Sequence, residues 1–462
     1  MPFSTAIAAL KSRFGAKLST AVADRQAHGR DEAGHDGMPP DAVLRVGSTD
    51  EVAEAVRMCA AYKMPIIPFG AGTSLEGHIC APKGGLSIDL SGMNRIIELN
   101  EGDQDVRVEA GVTRQALNAY LRDKGLFFPV DPGSECTLGG MAATRASGTN
   151  AVRYGTMREQ VLSLKVVTAL GDVIETGTRA RKSAAGLDLT HLFIGSEGTL
   201  GIITELSLKL HGIPEKLAAG VCRFPSLRAA TDTVMATIQM GLPVSRIELL
   251  DELSVRAVNT YAKMNHPETP TLFLEFGGTS ATVDEQIAIF TDLALSLGGS
   301  DIEFADTQEE MNRMWHARHQ LYYATRAMGP GKKIVTTDVC VPMSRLGDCM
   351  LETRADFEAS PLFASMLGHV GDGNFHTIML ADPTSRVEMS VLERLNERMV
   401  RRAIAMGGTC TGEHGIGIGK RDFLQWEKGP ATTLMRQVKM ALDPLGIMNP
   451  GKMLPDEDLP GA

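Results

Sequence analysis

The stretch Pro68-Phe69-Gly70-Ala71-Gly72-Thr73 ends a short apolar run, and it is the first of three glycine clusters in the amino-terminal half. The second cluster lies between Asp131 and Gly148, and the third is Gly195-Ser196-Glu197-Gly198-Thr199-Leu200-Gly201. Each cluster joins predicted strands or helices, where a glycine-rich backbone lets N–H groups approach a pyrophosphate closely. A tight turn would explain any one cluster equally well, but three together predict an extended ligand held along its length.

The segments around these clusters predict a mixture of helices and strands. The sequence Ser48-Thr49-Asp50-Glu51 is typical of a helix start, so a helix is expected over 48–62. The other elements predicted in this half are strands at 64–69, 86–90, 95–99, 105–110 and 202–210, a helix at 113–124, and a hairpin about Leu170-Gly171-Asp172.

From about residue 216 the pattern becomes a recurring strand, helix and strand, which predicts a ferredoxin-like layer. The elements are expected at 218–223, 226–240, 244–250 and 271–276, followed by a helix to about 297. The fold class expected is therefore α+β. We expect the chain to divide into 1–215, 216–425 and 426–462, with the last part returning to the first domain as a helix and tail.

Composition excludes several classes of protein. The chain has 462 residues, 43% of them hydrophobic and 22% charged, so most of it is expected to fold as an ordinary globular protein. A net charge of −10 without a long basic run argues against a nucleic-acid partner, and no apolar run is long enough for a transmembrane helix. The seven cysteines are scattered singly, which favours a reduced protein over a disulfide scaffold or a zinc ribbon.

Several familiar motifs are absent or incomplete. The sequence Gly415-Ile416-Gly417-Ile418-Gly419-Lys420 looks like a phosphate loop, but its spacing is wrong and Arg421 stands where serine or threonine is required. No G-x-G-x-x-G follows the first strand, and no G-x-S-x-G is present. A Rossmann nicotinamide site and a serine hydrolase are therefore not supported.

The carboxy-terminal half contains a candidate metal site. In Gly368-His369-Val370-Gly371-Asp372-Gly373-Asn374-Phe375-His376, an extended segment with a turn would let the two histidines converge. The sequence Gly412-Glu413-His414-Gly415 adds a carboxylate and a third imidazole. Two histidines and one carboxylate suit a divalent cation such as Zn²⁺ or Mn²⁺ and leave a position open for substrate. By pattern alone, hydrogen-bonded histidines without a metal remain an open alternative.

A candidate carboxylate-binding residue is Arg318, in Trp315-His316-Ala317-Arg318-His319. An arginine can hold a carboxylate by two parallel hydrogen bonds. On the sequence alone, a solvated helix residue is the simpler interpretation, and Lys332 and Lys333 are equally ambiguous.

In their order and their amino-acid sequences, the three glycine clusters resemble those of the FAD-binding domain of the vanillyl-alcohol-oxidase superfamily. With the motifs of the second half, nearly the whole chain resembles the FAD-dependent D-2-hydroxy-acid dehydrogenases, and within them the cytochrome-linked D-lactate group. The resemblance implies a two-subdomain FAD-binding domain of vanillyl-alcohol-oxidase type, followed by a ferredoxin-like α+β substrate domain with an antiparallel sheet. Some relatives attach the flavin to a histidine in the first loop. Since Thr73 stands there and His78 lies too far along, non-covalent FAD is expected.

In that superfamily the first loop wraps the pyrophosphate of FAD, and the second follows the pyrophosphate and the flavin ring. The third loop contacts the adenine and the ribose. The FAD contacts it implies are Pro68, Gly70, Ala71, Gly72, Thr73, Ser74 and Gly77; Pro132, Gly133, Ser134, Thr137, Gly139, Gly140, Ala143, Ser147, Gly148 and Tyr154; and Glu197, Gly198, Ile202, Ile203 and Asn449.

The resemblance also implies roles in catalysis. His369, His376 and Glu413 would bind the divalent metal, and His414 would be the general base. Arg318 would grip the substrate carboxylate, and Asn374 would sit beside the substrate, as the catalytic set with His414. The expected reaction is oxidation of a D-2-hydroxy acid to the 2-oxo acid, with hydride passing to N5 of FAD.

The uncharged Thr336 and Thr337 before Asp338 favour a small monocarboxylate such as D-lactate, which would give pyruvate. A glycolate oxidase flavoprotein subunit and a D-2-hydroxyglutarate dehydrogenase are the alternatives among enzymes. A flavin-binding or metal-sensing protein without catalysis is the alternative outside them.

No heme or iron–sulfur motif is present, so the electron acceptor is expected to be a separate partner: cytochrome c, a quinone or an electron-transferring flavoprotein. A cytoplasmic location, or one peripheral to the inner membrane, is expected. The sequence leaves a homodimer open.

Overall fold

The computed structural model describes residues 3–32 and 35–455, without the side chains of Ala317 and His319. Their contacts divide the chain into two compact units. The first unit takes the described residues of Met1–Ser147, Gly155–Ile213 and Glu413–Ala462, and the second takes Gly148–Tyr154 and Pro214–Gly412.

One sheet of the first unit places the first glycine cluster. Its strands, in spatial order, are Leu18–Ser19, Ala42–Arg45, Leu86–Asp89 and Ile66–Phe69, and the last three run parallel. The helix Thr49–Ala61 connects two of these strands, and it begins where Ser48 accepts a hydrogen bond from the backbone N–H of Glu51. Gly70 follows the carboxyl end of Ile66–Phe69, which is where open parallel sheets bind ligands.

A second sheet of the first unit places the other two clusters. Its antiparallel strands, in spatial order, are Ile96–Asn100, Asp105–Glu109, Gly201–Lys209, Val161–Thr168 and Val173–Glu175. The helix Leu138–Thr144 lies within the second cluster, and the third cluster leads into the strand Gly201–Lys209. Val106, Leu164 and Leu206 belong to an apolar core on this sheet, where each buried aliphatic side chain contributes about 1.5–3 kcal/mol. The sheet therefore gives both loops a rigid base.

The other elements of the first unit are short or lie at its edges. They are the strands Leu126–Phe127 and His211–Gly212 and the helices Ser4–Phe14, Val22–Ala27, Arg114–Leu121, Met157–Gln160, Leu189–Phe193, Arg421–Lys428 and Ala431–Leu442.

The second unit is built on one antiparallel sheet. Its strands, in spatial order, are Ser300–Ala305, Lys216–Arg223, Thr271–Gly278, Val244–Leu250, Phe363–Gly368, Asn374–Ala381 and Lys333–Thr336, and Val339–Cys340 also pairs with Asn374–Ala381. In chain order the first four strands stand as fourth, first, third and second, which is the ferredoxin-like arrangement. The helices are Ala151–Tyr154, Leu227–Gln239, Glu252–Ala262, Ser280–Ser296, Gln308–His319, Leu321–Met328, Leu346–Glu358 and Arg386–Ala405.

The predicted elements are present, but the contacts divide the chain at different places from those predicted. Residues 413–425 were assigned to the second domain, yet they belong to the first unit, because Glu197 and Glu76 of that unit bind the backbone of 416–418. Gly148–Tyr154 was assigned to the first domain, yet it belongs to the second unit, because Arg153 donates to the carbonyl oxygens of Pro243 and Gly277.

In the part of the chain that the structure describes, none of the helices combines the length and the apolar character needed to cross a membrane.

Candidate active site

The first glycine loop presents backbone donors. Within the described residues, the backbone N–H groups of 71–74 donate to no protein acceptor. These four residues are also at least partly exposed, so a ligand could reach them. Gly70 lies against the second cluster, since a Cβ on it would lie 2.4 Å from Oγ1 of Thr137. Successive backbone N–H groups in a turn can form an anion-binding concavity. This loop can therefore hold the pyrophosphate of a dinucleotide.

The third loop is tied to the carboxy-terminal tail by Asn449. Its Nδ2 donates to the carbonyl oxygens of Glu197, at 2.7 Å, and of His78, at 3.1 Å. Lys452 donates to Oδ1 of Asn449 and to the carbonyl oxygen of Cys80, and burial lowers its pKa to about 8. Asn449 was expected to contact FAD. The structure gives its amide protein partners, so a direct contact stays a prediction.

The side chain of Glu197 also has protein partners. Its two carboxylate oxygens accept from the backbone N–H groups of Ile416, at 2.7 Å, and Gly417, at 2.9 Å. Nε2 of His78 lies 3.3 Å from the same carboxylate. Burial opposes ionisation of both groups, but their mutual attraction lowers the pKa of Glu197 and raises the pKa of His78.

In the second unit the structure brings His369 and His376 together, as the sequence predicted. His369 follows the strand Phe363–Gly368 and His376 lies on the next strand, so the two ring centres are 5.3 Å apart. Nδ1 of His376 donates to the carbonyl oxygen of Thr337 at 3.0 Å. With Nδ1 carrying the proton, Nε2 is the ring nitrogen with the lone pair, as metal ligation requires.

Glu248 organises this site and was not predicted from the sequence. The strand pairing puts Leu249 opposite Gly368, so Glu248 comes next to His369. Its Oε1 accepts from Nδ1 of His369 at 2.6 Å, and its Oε2 accepts from Nε of Arg318 at 3.0 Å. Burial alone would raise the pKa of this fully buried carboxyl, but His369 and Arg318 outweigh that effect and lower it.

Arg318 points into the second unit and is not the solvated helix residue that the sequence alone favoured. Its Nε and Nη2 both bind Oε2 of Glu248, and its side chain is only 14% exposed. One edge of the guanidinium is thus committed to the protein. A substrate carboxylate would have to use the other edge, which ends in Nη1.

Asp338 is a second organising residue whose role was not predicted from the sequence. Its carboxylate accepts from Nδ2 of Asn374 at 2.7 Å, from Oγ1 of Thr411 at 2.5 Å and from the N–H of Gly412 at 2.9 Å. A Cβ on Gly412 would lie 1.7 Å from Nδ2 of Asn374, so only glycine fits there. Among the described residues, Oδ1 of Asn374 is buried and has no hydrogen-bond partner.

Thr337 does not provide the pocket wall expected of it. Its side chain is buried, and its hydroxyl group is hydrogen-bonded to that of Thr377 at 2.8 Å. The uncharged residues before Asp338 therefore give less information about the substrate than the sequence suggested.

The sequence contains a sign of a buried role for Glu248 but none for Asp338. Glu248 interrupts an apolar strand, Val244–Leu250, and a carboxylate inside such a strand indicates a buried partner. Asp338 follows the uncharged Thr336 and Thr337, but its partners Asn374, Thr411 and Gly412 come from distant segments and could not be inferred from the sequence.

Two family models match this chain. The model for the FAD binding domain matches residues 40–177, and the model for the C-terminal domain of FAD linked oxidases matches residues 213–453. The structure is similar to that of p-cresol methylhydroxylase with substrate bound, with a TM-score of 0.79 at 17% identity, covering 99% of this chain and 98% of the other. This likeness concerns the fold alone.

The chain is also similar to two curated proteins over most of its length. It is 50% identical to a probable mitochondrial D-lactate dehydrogenase of Danio rerio, covering 95% of this chain and 89% of that protein. It is 47% identical to the mitochondrial D-lactate dehydrogenase [cytochrome] of Arabidopsis thaliana, covering 97% of this chain and 80% of that protein.

The fold and the matched domains define an FAD-dependent oxidoreductase with the vanillyl-alcohol-oxidase architecture, as the sequence predicted. Within that class, the chain belongs to the FAD-linked oxidase family, in the group that contains the D-lactate dehydrogenases.

Proposed function

We propose that this chain oxidises D-lactate, and related small D-2-hydroxy acids, to the 2-oxo acid with the help of FAD and a divalent metal. The cluster around Glu248 carries the proposal. One buried carboxylate there holds His369, a group suited to a metal, and Arg318, a group suited to a carboxylate. The names of the two curated relatives support D-lactate as the substrate, which would give pyruvate.

We propose that FAD binds non-covalently along the three glycine clusters, with its pyrophosphate at the N–H groups of 71–74. The absence of protein acceptors for these groups among the described residues supports this position. FAD held there would supply a hydride acceptor, N5 of the flavin, for the α-hydrogen of the substrate. The residues named above from the three clusters are its proposed contacts.

His369, His376 and Glu413 are the proposed ligands of Zn²⁺ or Mn²⁺. The contact between the two imidazoles supports the first two ligands. Glu413 follows Gly412 directly, and Asp338 holds the N–H of Gly412. A divalent metal there would lower the pKa of the substrate hydroxyl group.

The chain's own residues would hold the substrate and move its proton. The outer edge of Arg318 would pair with the substrate carboxylate, and Oδ1 of Asn374 would accept a hydrogen bond from the substrate. His414 would take the proton of the hydroxyl group, a task that suits an imidazole near neutral pH. The alcohol would thus lose one proton, to His414, and one hydride, for which FAD would be the acceptor, and these two losses account for its oxidation to the ketone.

The electrons would then pass to a separate acceptor, namely cytochrome c, a quinone or an electron-transferring flavoprotein. A cytoplasmic or membrane-peripheral location also stays a prediction. Both relatives are mitochondrial by name.

Anaerobic visible spectra would test the proposal. Separate samples of the purified protein would receive D-lactate, L-lactate, glycolate or D-2-hydroxyglutarate. We expect rapid bleaching of the flavin by D-lactate and little by L-lactate, because metal and arginine together fix which face of the α-carbon meets the flavin.

The other outcomes are equally informative. Bleaching by glycolate or D-2-hydroxyglutarate alone would keep the chemistry and replace the substrate. A flavin that none of the four acids bleaches would contradict the catalytic function and favour a binding protein.

A further inference from the structure

The loop that follows His414 is held unusually firmly within the first unit. Besides the two hydrogen bonds from Ile416 and Gly417 to Glu197, the N–H of Ile418 donates to the carbonyl oxygen of Glu76 at 2.7 Å. Lys420, at the end of the loop, lies 3.2 Å from the carboxylate of Glu76.

The glycines of this loop allow the close approach. A Cβ on Gly417 would lie 2.1 Å from the carbonyl oxygen of Glu76. A Cβ on Gly415 would lie 2.8 Å from both Oε1 of Glu197 and Nε2 of His78. The glycine-rich sequence resembles a phosphate loop, but its glycines allow the backbone of 415–418 to pack closely against Glu197, His78 and Glu76.

Glu197 is the centre of this arrangement. Its side chain is 2% exposed, and its φ of +55° is a backbone conformation that non-glycine residues seldom adopt. A local strain of this kind persists only where surrounding contacts compensate for it. Here the compensating contacts are the two N–H groups and the imidazole of His78, which all converge on one carboxylate.

We propose that Glu197 is a positioning residue for His414. It fixes the backbone two and three residues after His414 and so sets the direction of that imidazole. The inference rests on the proposed function, in which His414 takes the substrate proton. The FAD contact proposed above for Glu197 would then be made by its backbone, since its carboxylate is occupied by Ile416, Gly417 and His78.

The variant Glu197→Gln tests this role with little change in shape. Ile416 and Gly417 donate to different oxygens of Glu197, so a glutamine in the same position would turn its NH₂ group, a donor, toward one of these two backbone N–H groups. We expect the rate of flavin reduction at saturating D-lactate to fall by about 100-fold, as for a displacement of about 1 Å. FAD content, bound metal and the substrate concentration at half-saturation should stay at wild-type values.

A double-mutant cycle separates positioning from a general structural effect. If Glu197 acts through His414, adding Glu197→Gln to His414→Ala should change the remaining rate by less than about twofold. An equal slowing in both backgrounds would overturn the proposal. Loss of FAD or of metal in the single variant would do so as well, since it would assign Glu197 to the cofactor or to Glu413.

Hydrogen exchange gives a readout that needs no turnover. The peptide covering 413–418 should exchange faster in holoenzyme carrying Glu197→Gln, and unchanged exchange would overturn the inference. If D-lactate fails to bleach the wild type, the proposed function fails, while the exchange result still judges the role of Glu197 in holding the loop.

Two further variants control for folding. Glu109→Gln alters another buried carboxylate of the first unit that accepts a backbone N–H, that of Arg95 at 2.8 Å, and it should leave exchange in 413–418 unchanged. Glu197→Asp keeps the charge and suits the left-handed backbone better. If Glu197→Gln does not fold, the aspartate variant should show the same selective slowing, and a wild-type rate in it would overturn the proposal.

Discussion

Oε1 of Glu248 lies 2.6 Å from Nδ1 of His369, and the carboxylate is completely buried. A carboxylate that accepts from Nδ1 orients the ring and makes Nε2 the better electron donor, which is the usual support for a histidine that binds metal. The same carboxylate holds Arg318, so one anion sets two groups of the proposed site.

The variant Glu248→Gln should reduce metal affinity and turnover together, each by about 10- to 100-fold, while FAD stays bound. The reason is that a neutral amide holds His369 and Arg318 less firmly than a carboxylate does. Bound metal and steady-state rates would be measured on the same sample. The control is Glu275→Gln on a neighbouring strand, a buried carboxylate that lies 3.6 Å from Arg246. Equal losses in both variants would contradict a special role for Glu248.

Removing the metal should abolish turnover and leave the flavin spectrum in place, because the proposed ligands His369, His376 and Glu413 are distinct from the FAD loops. Dialysis against a chelator, followed by Zn²⁺ or Mn²⁺, should lose and then restore activity. Glu413→Gln should reproduce the chelated state without rescue. Full turnover by protein shown to be metal-free would exclude the metal from the reaction.

The variant His414→Ala should slow flavin reduction by D-lactate by about 10²- to 10⁴-fold, the range for loss of a general base. The measurement is the first-order bleaching rate in anaerobic stopped flow. A rate close to that of the wild type would mean that another group takes the proton.

The variant Gly412→Ala should destabilise the second unit by about 1–3 kcal/mol and reduce turnover, because the new Cβ would overlap Nδ2 of Asn374. Denaturant unfolding and steady-state rates would show both effects. Gly102→Ala is the control, since nothing lies within 4 Å of a Cβ there. An alanine at 412 with wild-type stability would mean that Asn374 can move away freely.

The lowered pKa of Lys452 predicts that the free energy of unfolding increases with pH. Its pKa is about 8 in the folded chain because of burial, against an ordinary value of about 10.4 when unfolded. Between these values the unfolded state binds more protons, so the free energy of unfolding should increase by about 2 kcal/mol from pH 8 to pH 10. Well below pH 8 both states are protonated and this contribution no longer varies.

Denaturant unfolding at several pH values would check this sign. The rise should disappear in Lys452→Met and persist in Lys182→Met, which alters an exposed lysine. A rise that survives in Lys452→Met would assign it to other groups.

The elements and the loops were predictable because they depend on neighbours in the sequence. Ser48 caps its helix as the pattern predicts, and the turn between the two histidines brings their rings together. The partners of Thr337 and Arg318 were not predictable in this way. Thr337 is turned into the core toward Thr377, and Arg318 is turned toward Glu248, because strands far apart in the sequence pair with one another.

The sequence by itself determined the class of the protein, because glycine loops, histidine spacing and strand periodicity are local properties that the chain carries wherever it folds. Only the tertiary structure decided which carboxylates organise the site. Glu248 and Asp338 act through residues brought to them by long-range strand pairing, and Glu197 acts through a loop about 220 residues away in the chain. Burial excludes water from these carboxylates, so each must find its partners within the fold, and those partners follow from packing rather than from sequence proximity.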